Sequence, residues 1–318
     1  MNVSLFEKTT HLGINIINKI ASGAGGVVIH FLLIDKNTNT TLPASGKLVF
    51  KYDEGVREKT ILDIVGKGKC PYIVRFIRQL PCDENCRKKY TDWFNIQKKI
   101  QYPYILFLEY IPTIDLKPYR YNLLSALQNM MKEKNVLDII KGLIRNILEG
   151  LSYIHSKGVI HNDIKPKNVL FDANEKIAKI IDFGNSILMK RGKITDRVKA
   201  GTPIYTAPEI LSLNIGDDMG IRQYPLSPLI DIWSLGITII EMITNTLPYN
   251  GETRAVYKII TKSPFDYYNT QTQKDIQTLS PQLYDFIFYG CLIKNTDPNT
   301  LPCRCSAKKL LESKFLRC

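Results

Sequence analysis

The apolar positions divide the chain into two regions with different periods. From Gly13 to about Ile111, short runs of strand-forming residues alternate with turn residues, which predicts an antiparallel sheet. One stretch, Val56 to Val65, has helical spacing and ends at a glycine. Residues 1–111 are therefore predicted to form a small β-rich lobe with one main helix. The predicted strands are the runs INIINKI, GGVVIHFLLI, GKLVFKY, YIVRFIRQL and YPYILFLEYI.

A polar insertion interrupts this sheet pattern, and a helical region follows it. Residues 81–101 are charged and separate two predicted strands, so the segment is expected to loop out at the surface. After Pro112 the apolar spacing becomes helical, most clearly from Val136 to His155. Residues 112–318 are predicted to form a larger, mainly α-helical lobe. The predicted fold class is thus α+β, with both lobes in one domain that spans 1–318.

Composition changes this picture mainly through charge. The 318 residues include 43 lysines and arginines against 30 aspartates and glutamates, a formal net charge of +13. Such a charge attracts acidic partners. The basic residues are spread in short clusters, however, so a solvated basic surface is the simpler interpretation. The pattern requires no nucleic-acid partner.

Cysteine usage and hydropathy predict an intracellular protein. The seven cysteines are odd in number and lack the dense, even spacing of a secreted disulfide framework. The first residues lack the apolar core and cleavage site of a signal peptide. The most apolar stretch, Leu229 to Ile243, is too short for a bilayer and contains Asp231 and Glu241. We expect no membrane span, and the cytoplasm and the nucleus both fit.

A glycine-rich turn and a lysine are the first candidates for chemistry. The segment SGAGG lies between two predicted strands, where the backbone can fold closely over a polyphosphate. This context argues against a dinucleotide-binding fold, and a plain hairpin turn is the alternative. The run LVFK ends in Lys51, and an ion pair with Glu58 would hold its ammonium toward phosphate oxygens. Glu54 is the rival partner, and an ordinary surface lysine is the simpler interpretation.

The most specific signal is a pair of polar turns next to apolar strands. The first is VIHNDIKPKNVL, residues 159–170, and the second is AKIIDFG, residues 178–184. Phosphoryl transfer needs a carboxylate that orients a hydroxyl, a cation near the moving group and oxygen ligands for magnesium. These two segments supply all three residue types.

In this order the motifs resemble those of the eukaryotic-type protein kinases, in their serine/threonine branch. The resemblance covers nearly the whole chain. It implies a two-lobed fold, ATP and Mg²⁺ as cofactors, and transfer of the γ-phosphate to Ser or Thr hydroxyls of protein substrates. The matching segments are the glycine loop from Ala21 to Val28, LVFK, His161-Asn162-Asp163, Asn168, Asp182-Phe183-Gly184, GTPIYTAPE, DIWSLG and Arg304.

The resemblance also implies roles for individual residues. Asp163 would orient the hydroxyl and accept its proton, and Lys165 would screen the transferring phosphoryl group. Asn168 and Asp182 would hold the metal. Arg304 would pair with the glutamate of the A-P-E motif. The implied ATP-binding residues are Ala21, Gly23, Gly26, Val28, Lys51, Glu58, Glu109 and Ile111, with Leu108 guarding the back of the adenine pocket.

The sequence departs from the family pattern at two positions. Ala21 replaces the first loop glycine, which is harmless if its φ is negative. Asn162 replaces an arginine that would meet a phosphate on the activation segment, residues 182–209, so activity without that phosphate is expected. Five basic residues from Lys190 to Lys199, together with the net charge, predict substrates that are acidic around the target hydroxyl. His161 is expected to pack structurally, because Asp163 already fills the role of base.

Two other functions share part of this pattern. A pseudokinase-like scaffold or binding module would have the same fold without turnover, but it would be expected to lack one of Lys51, Asp163, Asn168 and Asp182. A small-molecule phosphotransferase would share the H-x-D-x-x-x-x-N spacing. Such an enzyme lacks the peptide-binding shelf implied by GTPIYTAPE and DIWSLG. The serine/threonine protein kinase is therefore the favoured interpretation.

Overall fold

Alternating apolar residues build an antiparallel sheet in the first of the chain's two units, Met1–Pro112. The computed structural model describes residues 11–112, 136–172, 174–190, 193–194, 201–213, 227–244, 247, 270–293 and 304–317. The five strands lie in the order β1-β2-β3-β5-β4, and every neighbouring pair is antiparallel. This confirms the predicted sheet. The strands are β1 (Leu12–Ser22), β2 (Gly26–Asp35), β3 (Thr41–Val49), β4 (Phe76–Pro81) and β5 (Tyr104–Glu109).

A helix follows β3 almost without a connection. Helix α1 spans Tyr52–Val65, so it begins earlier than the Val56 start predicted from sequence. Lys51 is its N-cap, and Asp53 and Glu54 in the first turn suit the helix macrodipole. The early start places Glu54 and Glu58 on the same helix.

The insertion does not loop out, and the sequence prediction for it is wrong. It contains a second helix, α2 (Glu84–Trp93), whose N-cap Asp83 accepts a hydrogen bond from the backbone N–H of Cys86. Apolar residues spaced through the charged segment pack on one face of the sheet, because the sheet offers a large apolar surface there. Residues 11–112 therefore contain two helices instead of the one predicted. The buried residues that the insertion adds to this core are Cys82, Tyr90, Ile96 and Ile100.

The second unit, Thr113–Cys318, is mainly helical in its described residues. Its long helices α3 (Val136–Ser156) and α5 (Leu229–Thr244) carry much of the core, and the apolar face predicted for α3 is buried from Ile140 to Ile154. Two short ladders, β7 with β8 and β6 with β9 and β10, hold the polar turns. No described helix is long and apolar enough to cross a membrane. The remaining described elements are β6 (Val159–Ile160), a 3₁₀ turn (Pro166–Asn168), β7 (Val169–Asp172), β8 (Ile177–Ile180), β9 (Ile187–Lys190), β10 (Lys193–Ile194), a second 3₁₀ turn (Pro203–Tyr205), α4 (Pro208–Leu213), α6 (Thr270–Leu279), α7 (Pro281–Asp285), a π-helical turn (Phe286–Cys291), α8 (Ala307–Leu311) and α9 (Lys314–Arg317).

Candidate functional site

The glycine-rich segment forms the hairpin turn between β1 and β2, as predicted. The backbone N–H of Gly23 donates to the carbonyl of Gly26 at 3.0 Å, and Ala21 pairs with Val28 across the hairpin. A Cβ on Gly26 would lie 2.3 Å from the carbonyl oxygen of Leu48, so only glycine fits there. Among the described residues, Ala21 is not one of those with positive φ, so alanine is unstrained in place of the family's glycine.

The lysine that pairs with Glu58 is Lys47, and the predicted Lys51–Glu58 pair is wrong. The Nζ of Lys47 lies 2.6 Å from Oε1 of Glu58, and the two side chains are only 10% and 2% exposed. Lys51 instead occupies the N-cap position of α1, its side chain is 65% exposed, and its Nζ lies 3.2 Å from Oε1 of Glu54, the rival partner. The physical reason is that β3 ends at Val49, so Lys51 has already left the sheet.

The candidate adenine-binding residues lie at the end of β5. The backbone N–H of Glu109 donates to the carbonyl of Arg75 at 2.9 Å, and its side-chain Oε1 accepts from the N–H of Arg75 at 2.8 Å. Leu108 and Ile111 are buried in the first unit. This double contact fixes the backbone at Glu109, and the adenine-binding role stays a prediction.

A buried aspartate in α5 holds the first polar turn. Asp231 is fully buried, and its carboxylate accepts hydrogen bonds from the backbone N–H groups of His161 at 2.8 Å and Asn162 at 2.7 Å. The same carboxylate lies 2.8 Å from Nε2 of His155. Charge-assisted bonds of this kind are strong when they are buried. Asp231 thus fixes the backbone immediately before Asp163.

Five donors surround the Asp163 carboxylate, which is 4% exposed as a residue. Oδ1 accepts from the backbone N–H of Thr202 at 2.9 Å and from its hydroxyl at 2.8 Å. Oδ2 accepts from Lys165 at 2.7 Å, Asn168 at 3.0 Å and Asn185 at 3.2 Å. Burial raises the pKa of Asp163, but bonds from Lys165 and Thr202 outweigh it and lower the pKa below its usual range. The carboxylate is therefore held ionised and in one orientation.

The two predicted metal ligands follow the paired part of a two-stranded ladder. β7 pairs with β8, and the N–H of Ile181 extends the ladder by donating to the carbonyl of Asn168 at 2.9 Å. Asp182 follows directly. The amide nitrogen of Asn168 is used on Asp163, both on its carbonyl at 2.8 Å and on Oδ2. The amide oxygen of Asn168 is not used in these bonds to Asp163, and amide and carboxylate oxygens are ligands that suit Mg²⁺.

Two residues of this region adopt the left-handed backbone conformation. Asn162 and Asp182 both have a φ of 63°. Asparagine and aspartate tolerate this conformation better than most residues do. His161 packs edge-on against Phe183 with ring centroids 5.1 Å apart, and its Nε2 lies 3.0 Å from the carbonyl of Ile181. These contacts agree with the structural role expected for His161.

The predicted pair between Glu209 and Arg304 is confirmed. Nη1 of Arg304 lies 2.6 Å from Oε1 of Glu209, and Nη2 lies 3.3 Å from Oε2. Arg304 also donates to the carbonyls of Ile293 and Leu229 and lies over the ring of Trp233. The pair fixes the C-terminal end of the activation segment.

Sequence reasoning missed Lys47 and Asn185. Lys47 was detectable in principle from strand alternation. Ala44 and Leu48 lie on the face of β3 that packs in the apolar core, and Lys47 lies on the opposite face. Asn185 carries no motif that the sequence analysis used. Much of the basic stretch lies outside the described residues, namely Arg191, Arg197 and Lys199, while the backbone pairing of Lys190 with Lys193 is described.

Comparisons with known proteins agree with this geometry. The family model described as "Protein kinase domain" matches residues 14–316. Over 179 residues, 56% of this chain, the sequence is 39% identical to serine/threonine-protein kinase STE20 of Eremothecium gossypii and 35% identical to STE20 of Saccharomyces cerevisiae. It is 37% identical over the same length to serine/threonine-protein kinase pakA of Talaromyces marneffei. The aligned part covers 16%, 17% and 24% of these relatives, which are thus far longer than the matched segment.

Proposed function

The chain belongs to the protein kinase domain family, whose members use ATP and a divalent metal ion, and we propose that it transfers the γ-phosphate of ATP to Ser or Thr hydroxyls of proteins. The observation that carries the proposal is the Asp163 carboxylate, which is ionised, buried and held by Lys165 and Thr202. The relatives named above are serine/threonine-protein kinases, which supports the same specificity. The turnover-free scaffold loses support, because Asp163, Asn168 and Asp182 are all present.

The proposed reaction is an in-line displacement at the γ-phosphorus. The substrate hydroxyl oxygen forms the new bond to phosphorus, while the bond to the oxygen bridging the β-phosphate breaks and ADP leaves. Asp163 orients the hydroxyl and receives its proton. Lys165, which already contacts Asp163 at 2.7 Å and the Thr202 hydroxyl at 2.6 Å, screens the charge of the moving group.

We assign the metal to Asn168 and Asp182, with Mg²⁺ as the ion. The backbone bond between Ile181 and Asn168 supports this assignment, because Asp182 follows Ile181 directly and an amide oxygen and a carboxylate are ligands that suit Mg²⁺. When bound, the ion neutralises phosphate charge. Replacing Asp182 by Asn should abolish transfer with little effect on folding, as measured by turnover and thermal melting.

In the first unit, we assign the grip on the nonterminal phosphates to Lys47 instead of Lys51. A buried ammonium held by Glu58 at 2.6 Å is preorganised, whereas the ammonium of Lys51 is exposed beside Glu54. The glycine turn, with Ala21, Gly23, Gly26 and Val28, remains the proposed cover for the phosphates, and Glu109 and Ile111 the proposed adenine contacts.

The matched variants Lys47→Met and Lys51→Met test this assignment. We expect Lys47→Met to lower kcat/KM for ATP about 100-fold or more, because a positioned charge is lost. Lys51→Met should stay close to the wild-type rate, since its pair is exposed and weak. The measurement is initial-rate kinetics with a generic protein substrate such as myelin basic protein. A larger loss for Lys51→Met would restore the assignment from sequence.

We also propose that substrates are acidic around the target hydroxyl. The support is the net charge of +13 and the exposed Lys167, which lies two residues from Lys165. Electrostatic attraction of this kind weakens as salt rises. A peptide library should show selection for Asp and Glu flanks that fades at high ionic strength, and selection for basic flanks would contradict the proposal.

A further inference from the structure

The junction between β3 and α1 is short and anchored to the last residue of the insertion and the residue after it. Only two residues separate the end of β3 from the start of α1. The carbonyl of Phe50 accepts from the N–H of Gln101 at 2.9 Å, and that of Val49 accepts from the N–H of Tyr102 at 3.4 Å. The start of α1 is therefore tied to residues 101–102 by backbone hydrogen bonds.

The ring of Tyr102 lies directly against the first turn of α1. A Cβ on Gly55 would come within 2.3 Å of Cγ and 2.4 Å of Cδ2 of this ring, which is closer than real Cβ contacts. Tyr102 is 3% exposed, and its hydroxyl donates to Oε1 of Gln79 in β4 at 3.2 Å. The ring is thus held at both ends, and the bare backbone of Gly55 lets the helix approach it.

Gly55 and Glu58 lie on one face of α1. They are three residues apart, so they are neighbours on the helix surface, and both are buried. Because a helix moves as a rigid rod over a single turn, any displacement at Gly55 reaches the carboxylate of Glu58. That carboxylate is the group that contacts Lys47 at 2.6 Å.

We propose that Tyr102 is a positioning residue whose ring, seated against Gly55, sets the place of α1 and keeps Glu58 on Lys47. The functional consequence rests on the role proposed above for Lys47. Every residue in this chain of contacts lies in the first unit, Met1–Pro112. The Lys47–Glu58 pair is therefore assembled by local contacts, including one from the residue directly after the insertion.

The main test is Gly55→Ala, with Gly142→Ala as the matched control. Gly142 is also helical, but it is exposed, and among the described residues nothing beyond its own helix backbone lies within 4 Å of the place that a Cβ would take. Gly55→Ala should lower kcat/KM for ATP by up to about 100-fold, because a displacement of about 1 Å has that effect on positioned groups. It should also speed the acylation of Lys47 by an amine-reactive ester, measured by peptide mass spectrometry. Gly142→Ala should leave both unchanged.

Two further variants separate positioning from general damage to the fold. Tyr102→Leu removes the ring without a clash and should also expose Lys47 to acylation, whereas Tyr102→Phe keeps the ring against Gly55, loses only the bond to Gln79 and should have a clearly smaller effect. In a Glu58→Gln background, Gly55→Ala should lower kcat/KM for ATP little further, because the Lys47–Glu58 pair through which it acts is already broken.

Either of two results would overturn the proposal. One is unchanged acylation of Lys47 in both Gly55→Ala and Tyr102→Leu. The other is a loss of kcat/KM for ATP in the double variant Gly55→Ala with Glu58→Gln that equals the combined losses of the two single variants. The acylation readout needs no turnover. If Lys47→Met kept wild-type activity while Gly55→Ala still exposed Lys47, the proposed role of Lys47 would fail and the positioning contact would stand.

Discussion

Asp163 is buried, yet its pKa lies below the usual range, and the donors around it explain why. Burial by itself favours the neutral acid, but Lys165 and the two groups of Thr202 stabilise the carboxylate more than burial costs. An ionised carboxylate with fixed orientation is what a group that receives a hydroxyl proton requires.

The lowered pKa gives a prediction for stability against pH. Because the folded-state pKa lies below the unfolded value, Asp163 stabilises the fold above about pH 4 and loses this contribution as pH falls through the folded pKa. The free energy of unfolding of wild type minus that of Asp163→Asn should therefore be constant near neutral pH and shrink in acid. Urea unfolding from pH 7 to pH 3 measures it. A difference that shrinks already between pH 7 and pH 5 would contradict the lowered pKa.

At the scale of elements, helix α2 turns the insertion into part of the first unit's core. Tyr90 is 7% exposed and packs edge-on against Phe31 in β2, with ring centroids 6.1 Å apart. Trp93 on the same helix is 61% exposed. The two aromatic residues therefore have opposite environments although they are one turn apart.

This difference predicts unequal effects of truncation. Tyr90→Ala should lower the free energy of unfolding by about 3–5 kcal/mol, because it leaves a cavity against the sheet. Trp93→Ala should change it by no more than about 0.5 kcal/mol. Chemical denaturation of both variants gives the comparison. Equal, small effects would mean that the insertion does not pack on the sheet.

At the scale of the whole molecule, a buried ion pair joins distant parts of the chain. Glu209 and Arg304 are 95 positions apart, and Arg304 is 1% exposed. Breaking a buried pair leaves an uncompensated charge, which costs more than the pair itself contributes.

Arg304→Met should therefore destabilise the protein by about 3–5 kcal/mol. The matched control is Lys51→Met, which breaks an exposed pair and should cost less than about 1 kcal/mol. Differential scanning calorimetry and denaturant unfolding measure both. The double variant Arg304→Met with Glu209→Leu should recover part of the loss, and no recovery would show that the carboxylate is not the source of the cost.

The sequence by itself determined the antiparallel sheet, the glycine turn and the order of the polar turns. These features follow from local rules, since strand period, turn chemistry and residue spacing are all visible within a few neighbours. Asp163 and Asn168 could be singled out because their spacing within one short segment matches the motif of the family that the sequence resembles. The Glu209–Arg304 pair followed from the family resemblance.

Only the tertiary structure decided which lysine meets Glu58 and where the insertion lies. Lys47 and Lys51 sit on the same run of sequence, and the choice depends on β3 ending at Val49 and α1 beginning at Tyr52. An element boundary is set by competition with distant contacts, here the backbone bonds from residues 101–102. In the same way, Tyr90 is buried because the sheet presents an apolar face to it. The charged residues next to Tyr90 in the sequence do not indicate this burial.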